Sequence, residues 1–484
     1  MVKYFFTFWA VSLVIAGCNK NSIAPGNQRL QNDRIAETHY SGSANYPAAN
    51  GQSVSVTINE AQPGFTISNN FSGITYEVSS LVSDFTYLSA SNTTLIQLMK
   101  NLGSGIIRVG GTSSDLIRWT GRSRTTNTGD SLTTTDIDRL AGFVNAIGGG
   151  WKVLFGLNMA NYDPSASANE AIYVSNALGS NLYAFQFGNE PLSYGKDGFR
   201  PSNWNIYMYM AEWRIYRDSL RYYLPQAPIA GPDISRMLNQ AGSGLKTFAD
   251  TLHSDINLLT GHYYGNSYAS TNSTDLTVLF DSVTSATVYA IVPSRMAIIN
   301  NLATSYNLPY RITEANAATS GQNGITSAYA NSLWALDFMW QVATNNGQGV
   351  NLNGGWVRPN YYGMLAFKYG ADAGSRILPA ILTANGKRCT AYATSKNGVT
   401  YATLVNRGTE ALSYTINLTN VAATMKLYRL TGPSITATAG ITFANASVNA
   451  DGTFAPGAIE QYNVGDTFAV VNVPARSAVV VAFQ

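Results

Sequence analysis

The sequence predicts an α/β protein: a (β/α)8 TIM barrel with a C-terminal β-sandwich. Three observations carry this. Over residues 70–374, eight short apolar runs alternate with longer segments whose apolar residues recur every three or four positions, the pattern of strand–helix units in a parallel sheet. Over residues 375–484 the helical patterns stop and short alternating strands begin, opening with KRCTAYATSKNGVTYATLVNRG and ending in FAVVNVPARSAVVVAF; strands separated by turn residues read as a sandwich. Ahead of the barrel, SVSVTINEAQPGFTI alternates about a Pro-Gly turn, so residues 53–69 are expected to add a strand or hairpin to that sandwich.

The expected barrel strands are Gly73 to Val78, Gly105 to Gly110, Lys152 to Leu157, Leu182 to Gly188, Pro228 to Gly231, Leu258 to Tyr263, Tyr310 to Glu314 and Gly349 to Leu352. Helical periodicity is strongest over Asp136 to Ile147, Trp204 to Tyr223, Tyr289 to Tyr306 and Ser327 to Thr344. In such a barrel the strands' C-terminal ends carry the chemistry.

Residues 1–17 contain Lys3 and an apolar run from Tyr4 to Ala16, too short to span a bilayer and suited to a secretory signal. Its end, Ile15-Ala16-Gly17-Cys18, resembles a bacterial lipoprotein signal. The resemblance implies cleavage before Cys18, a lipid anchor on its sulfur as the only membrane attachment, and, with Asn19 following, an exported protein at the outer membrane. Residues 18–52 are polar and aperiodic, a flexible tether. The remaining cysteine, Cys389, would then have no disulfide partner.

Of the 484 residues 45% are hydrophobic and 12% charged, enough to bury a large core. A net charge of +3 leaves no electrostatic footprint for nucleic acid or polysulfated chains, so any anionic substrate must be recognised locally. His39, His253 and His262 lack metal-ligand spacing and GGTSSD lacks phosphate-loop spacing, so neither metal nor cofactor is implied.

Two stretches stand out. FQFGNEP (Phe185 to Pro191) and RITEANA (Arg311 to Ala317) each set a carboxylate, Glu190 or Glu314, at or just past the end of a short apolar run. By the strand count they follow the fourth and end the seventh strand. Pro191 biases Glu190 towards extended backbone. Two facing carboxyls are what glycosidic hydrolysis needs, one protonated to release the leaving oxygen and one ionised.

The ordered series YEVSS, RVGGTSSD, FQFGNEP, GHYYG, ITEANA and RPNYYG resembles glycoside hydrolase family 79, the retaining β-glucuronidases and heparanase-like enzymes, over roughly residues 70–370. The resemblance implies Glu190 as acid/base, Glu314 as nucleophile, Asn189 on the sugar 2-hydroxyl and Glu77 on hydroxyls across the ring. It implies Tyr263 beside the nucleophile, and Tyr361 with the backbone near Ser320 and Gly321 around a substrate carboxylate. The substrate would be a glycan or glycoside containing glucuronic acid. The series departs from the pattern at Thr112-Ser113, where heparanase-like members carry lysine, and at Thr319-Ser320-Gly321, which replaces a more aromatic loop. A neutral sugar such as xylose, or glycan binding without cleavage, are the alternatives.

Overall fold

The computed structural model describes residues 51–240, 243–266, 279–280, 291–319, 324–353 and 358–484. Cys18, Ser320 and Gly321 lie outside the described residues, as do the signal and nearly all of the tether.

Strand β1 (Gln52–Ile58) precedes eight barrel strands: β2 (Ser72–Glu77), β3 (Ile106–Gly110), β4 (Lys152–Leu157), β5 (Leu182–Phe187), β6 (Ala230–Ile234), β7 (Leu258–Asn266), β8 (Tyr310–Ala318) and β9 (Val350–Asn353). These eight pair in parallel in the order β5-β4-β3-β2-β9-β8-β7-β6. The two edges meet where Phe185 bridges Ile229 and its N–H donates to the Pro228 carbonyl at 2.9 Å. That contact closes the barrel.

Among the described residues, one helix of at least nine residues follows each barrel strand: α1 (Thr93–Leu102), α2 (Thr134–Ile147), α3 (Pro164–Leu178), α4 (Ile206–Tyr223), α5 (Gly244–Leu252), α6 (Ile291–Ser305), α7 (Ala330–Thr344) and α8 (Pro359–Gly370). Local chemistry sets the starts. Asn92 accepts from Leu95 N–H before α1, Thr133 and Asp136 form a capping box on α2, Asp163 caps α3 with Pro164 at its first position, and Asn205 caps α4. Helix α7 has no polar face. Every residue from Ala330 to Ala343 is buried, and its Asp337 accepts from Thr390 and Tyr392 and pairs with Arg407 in the C-terminal sheet.

The C-terminal strands are β10 (Arg376–Leu378), β11 (Ala380–Thr383), β12 (Cys389–Lys396), β13 (Val399–Asn406), β14 (Leu412–Thr431), β15 (Thr442–Phe443), β16 (Glu460–Val473) and β17 (Ser477–Phe483). With β1 they form one nine-stranded sheet in the order β10-β12-β13-β17-β14-β1-β11, β15 and β16 also pairing with β14. Strand β1 lies parallel to β14 and sends Val54, Val56 and Ile58 into the same apolar core as Leu412, Tyr414 and Val471. The N-terminal strand thus belongs to the C-terminal sheet, as its alternation predicts.

The barrel interior is layered. Near the strand starts, Ile106, Leu154, Ala184, Ala230 and Leu258 form a small apolar cluster. Beside them Arg311, fully buried, donates to Asn351 Oδ1 at 2.6 Å and to the carbonyls of Asn70, Phe71 and Ser72 at 2.7, 3.1 and 3.3 Å. A Cβ on Gly73 would lie 2.5 Å from its guanidinium, so glycine is required there. Polar side chains then occupy the middle and upper levels.

Replacing Arg311 with Leu strips a donor from several buried acceptors at once, and the expected loss is about 3 kcal/mol. Urea denaturation of Arg311→Leu checks this; a midpoint equal to the parent's contradicts it.

Candidate active site

Arg108, from the run IIRVG on β3, projects into the barrel and is 1% exposed. Its guanidinium reaches Gln186 on β5 (Nε to Oε1, 3.0 Å), Asn189 (Nη2 to Oδ1, 2.8 Å), Asp233 on β6 (2.7 Å) and Glu314 on β8 (2.8 Å). Burial alone would ease its proton off, but the Asp233 and Glu314 carboxylates raise its affinity well above the ordinary arginine range.

Asp233 gathers the partners left over. It accepts from Gln186 at 2.6 Å, Thr313 at 2.7 Å and His262 Nε2 at 3.0 Å. Burial would raise its affinity for a proton, yet Arg108, His262 and these hydrogen bonds hold it well below the usual carboxylate range. The other ring nitrogen of His262, Nδ1, lies 2.9 Å from Glu190 Oε1. Burial would lower the imidazole, but Asp233 and Glu314, with the hydrogen bonds the ring donates to Asp233 and Glu190, push it up to about 10. A proton therefore sits between His262 and each neighbouring carboxylate.

The two sequence-predicted carboxylates meet on one pocket of about 710 Å³. Glu314 Oε2 pairs with Arg108, while Oε1 accepts from the Tyr264 hydroxyl and from Asn353 at 3.2 Å. Burial raises it, but the charges of His262 and Arg108 and the Tyr264 hydrogen bond win, holding it below the ordinary value and ionised. Glu190 is more open, its side chain 30% exposed. Its backbone is left-handed (φ 48°, ψ 48°), against the extended conformation expected before Pro191. The reason is local: its N–H donates to Asp233 O at 3.1 Å and its carbonyl accepts from Ser193 N–H at 2.8 Å, starting a tight turn.

The remaining predicted residues divide. Asn189 lines the pocket, and its N–H donates to Asp115 Oδ2 at 2.8 Å. Asp115 also accepts from Met159 and Ala160 N–H at 3.1 and 3.3 Å, and burial pushes it up to about 6 against those bonds. Tyr263 lines the pocket wall with its ring stacked on Phe338 at 5.2 Å, but the hydroxyl on Glu314 belongs to Tyr264. Alternation along β7 explains the correction: His262 and Tyr264 share the inward face and Tyr263 turns to the helix layer. Glu77 is occupied by Ser113, whose N–H and hydroxyl donate to its Oε2, the former at 2.8 Å. Tyr361 does not line the pocket. It is buried, and its hydroxyl donates to Leu98 O at 2.8 Å and accepts from Asn101 on α1, so it joins α8 to α1. Lys196 and Arg236, which the sequence reading passed over, do line the pocket and make no ion pair among the described residues. No group of three or more His, Cys, Asp or Glu among the described residues is arranged to hold a metal ion.

No family model matches the chain, and no curated protein matches it by sequence. Solved structures do match. A 4-O-α-L-rhamnosyl-β-D-glucuronidase from Fusarium oxysporum 12S aligns with a TM-score of 0.69 at 19% identity, over 89% of this chain and 100% of that one. A family 51 α-L-arabinofuranosidase from Bifidobacterium longum aligns at 0.67 and 13% identity, over 89% and 99%. A family 44 xyloglucanase from Paenibacillus polymyxa aligns at 0.62 and 9% identity, over 90% and 100%. At these identities the likeness establishes the shared fold, a TIM barrel with a β-rich C-terminal domain.

His262 is expected to keep both ring protons through neutral pH. Its folded-state value lies above the ordinary 6.5, so its contribution to stability is complete below about 6.5 and is lost as pH rises towards about 10. Nitrogen-15 NMR of the three histidines checks this; a His262 titrating between 6 and 7 contradicts it.

Proposed function

We propose that the chain is a retaining glycoside hydrolase acting on β-glucuronosyl linkages. One observation carries the reading: two carboxylates share a pocket in opposite environments. Glu314 is buried and held ionised by Arg108 and Tyr264; Glu190 is partly open, with one oxygen on the His262 imidazolium and no described hydrogen-bond partner on the other. A buried, ionised carboxylate and a more open carboxyl on the same pocket match the nucleophile and acid of a retaining glycosidase.

In this mechanism Glu314 attacks the anomeric carbon as Glu190 gives its proton to the leaving oxygen, and the glycosidic bond breaks. Glu190, now a carboxylate, takes a proton from water, whose oxygen displaces Glu314 and restores both groups. Attack removes the negative charge facing Arg108 and His262, and hydrolysis returns it. Tyr264 and Asn353 orient the attacking oxygen.

The glucuronate assignment draws on Lys196 and Arg236, two cations on the pocket of a chain whose overall charge is close to neutral. It draws also on the fold likeness to a glucuronidase. They take the part assigned beforehand to Tyr361. A neutral glycoside is the rival substrate, favoured by the loss of Tyr361 from the site. We also propose that Cys18 is lipidated and anchors the exported protein, on the resemblance of Ile15-Ala16-Gly17-Cys18 to a lipoprotein signal.

Glu314→Gln should lower turnover of aryl β-glucuronides by about 10,000-fold or more. Glu190→Ala should slow substrates with poor leaving groups by about 100- to 10,000-fold and dinitrophenyl glucuronide far less. Comparable losses for both leaving groups would remove Glu190 from the acid role, and faster aryl xyloside than glucuronide hydrolysis would favour the neutral sugar. Labelled palmitate incorporation, lost in Cys18→Ser, checks the anchor.

A further inference from the structure

A second cavity opens at the same end of the barrel as the catalytic pocket. It is bounded by the segment after β3, carrying Arg118 and Trp119, and by the turn and first helical turns after β4, carrying Asn161, Asp163 and Glu170. Its volume is about 110 Å³, well below the ~300 Å³ at which sites for drug-sized ligands begin. One edge of a single ring fits; an oligosaccharide does not.

Glu170 is the anomaly. Seven residues after Asp163 on one face of α3, it is only 3% exposed, yet its carboxyl makes no hydrogen bond or ion pair among the described residues. An unpartnered buried carboxyl is costly, and burial pushes Glu170 up to about 8, so near neutrality it holds a proton and can both donate and accept. Its neighbours are otherwise committed. Asn158 donates to Ile117 O at 3.1 Å and accepts from Asn161 N–H at 3.0 Å, and Ser167 donates to Asn158 O at 2.7 Å.

The chemistry of the lining selects the ligand. Asp163 uses Oδ1 to cap α3, accepting from Ala166 N–H and Ser165 at 2.9 Å, and is held below the usual carboxylate range by those bonds. Arg118 is a donor of opposite charge across the cavity, so the site favours neither a free cation nor a free anion. Trp119 supplies a half-buried apolar ring, fixed by its Nε1–H on Asn169 Oδ1 at 2.7 Å and by Tyr173 at 5.7 Å between ring centres. A planar aromatic surface beside interspersed donors and acceptors suits a ring with an apolar face and a hydroxylated edge.

We propose that this cavity is a second saccharide-binding site, which takes one neutral sugar unit with its ring against Trp119 and its hydroxyls on Glu170, Asp163 and Arg118. The proposal rests on the reading of the chain as glycan-active, and it names an anchor outside the catalytic pocket. Glu170 keeps its unsatisfied carboxyl because a sugar hydroxyl is the missing partner.

The test uses the full chain carrying Glu314→Gln, titrated by calorimetry and saturation-transfer NMR with D-xylose, D-glucose, D-galactose and L-rhamnose in the presence of saturating D-glucuronate. At least one neutral sugar is expected to bind, and Trp119→Ala and Glu170→Met are each expected to weaken it about tenfold or more, one lost hydrogen bond or stacking contact. Glu170→Met should also raise the melting temperature, since it removes the unpartnered carboxyl. Absence of binding by all four sugars, binding unchanged in both variants, or a lowered melting temperature for Glu170→Met overturns the proposal. Aryl β-glucuronide hydrolysis, measured separately with the two substitutions in the parent background, should be unaltered. If no glucuronide is hydrolysed but Trp119→Ala and Glu170→Met each weaken neutral-sugar binding, the catalytic reading fails and the second site stands.

Discussion

The Arg108 guanidinium is the constraint from which the rest of the barrel mouth follows. It is a permanent charge in a nearly water-free interior, and taking it there costs several kcal/mol before any partner is counted. Only a nearly complete shell of acceptors makes the position tenable. Three strands supply that shell, β5 and the turn after it through Gln186 and Asn189, β6 through Asp233 and β8 through Glu314, so the burial of one cation fixes the mutual positions of β3, β5, β6 and β8 where chemistry is expected. A buried pair of this kind adds little net stability. What it adds here is placement, because Glu314 cannot move without stranding the arginine.

The same network links the two pocket carboxylates. Asp233 carries the second half of the compensation, and its remaining oxygen binds His262, which turns its other nitrogen to Glu190. Charge therefore alternates from Glu314 through Arg108 and Asp233 to His262, whose other ring nitrogen faces Glu190. Removal of any interior member exposes its neighbours to an uncompensated burial cost, so a loss at one end of the chain is felt at the other.

Much of this was legible in the sequence, and what was not has physical causes. The barrel strands were visible because parallel strands buried on both faces read as apolar runs, and Glu190 stood out just past one of them; Glu314, expected at a strand end, lies in the middle of β8, which runs on to Ala318. Arg108 and Asp233 were equally anomalous, a charge inside IIRVG and another inside AGPDI, yet a single interior charge does not name its partner, which here lies 125 residues away. Tyr264 was accessible to simple alternation: with His262 placed inward, the next inward residue of β7 is Tyr264 and not Tyr263. Tyr361 went astray because RPNYYG opens a helix, and the first tyrosine of that helix turns towards α1. Helix α7 was legible from the apolar spacing over Ser327 to Thr344, but its burial on every side was not, since that depends on the C-terminal sheet packed against it.

Asp115 draws the sequence motifs and the geometry together. It closes the run RVGGTSSD that begins with Arg108 on β3, and its carboxylate holds the backbone of Asn189 on one side and of Met159 and Ala160 on the other. Arg200 grips the same turn, donating to the carbonyls of Met159 and Ala160 at 3.0 and 2.8 Å while pairing with Glu212. One short stretch of chain thus sends a cation to Glu314 and an anion to the peptide beside Glu190. The left-handed backbone at Glu190, unfavourable for a residue with a side chain, is held between Asp115 on the preceding residue and Asp233 O on its own N–H. The position of Glu190 is therefore imposed by its neighbours: the Asp115 carboxylate beyond β3 and the Asp233 backbone carbonyl on β6 over-determine a turn that the GNEP sequence alone would leave extended.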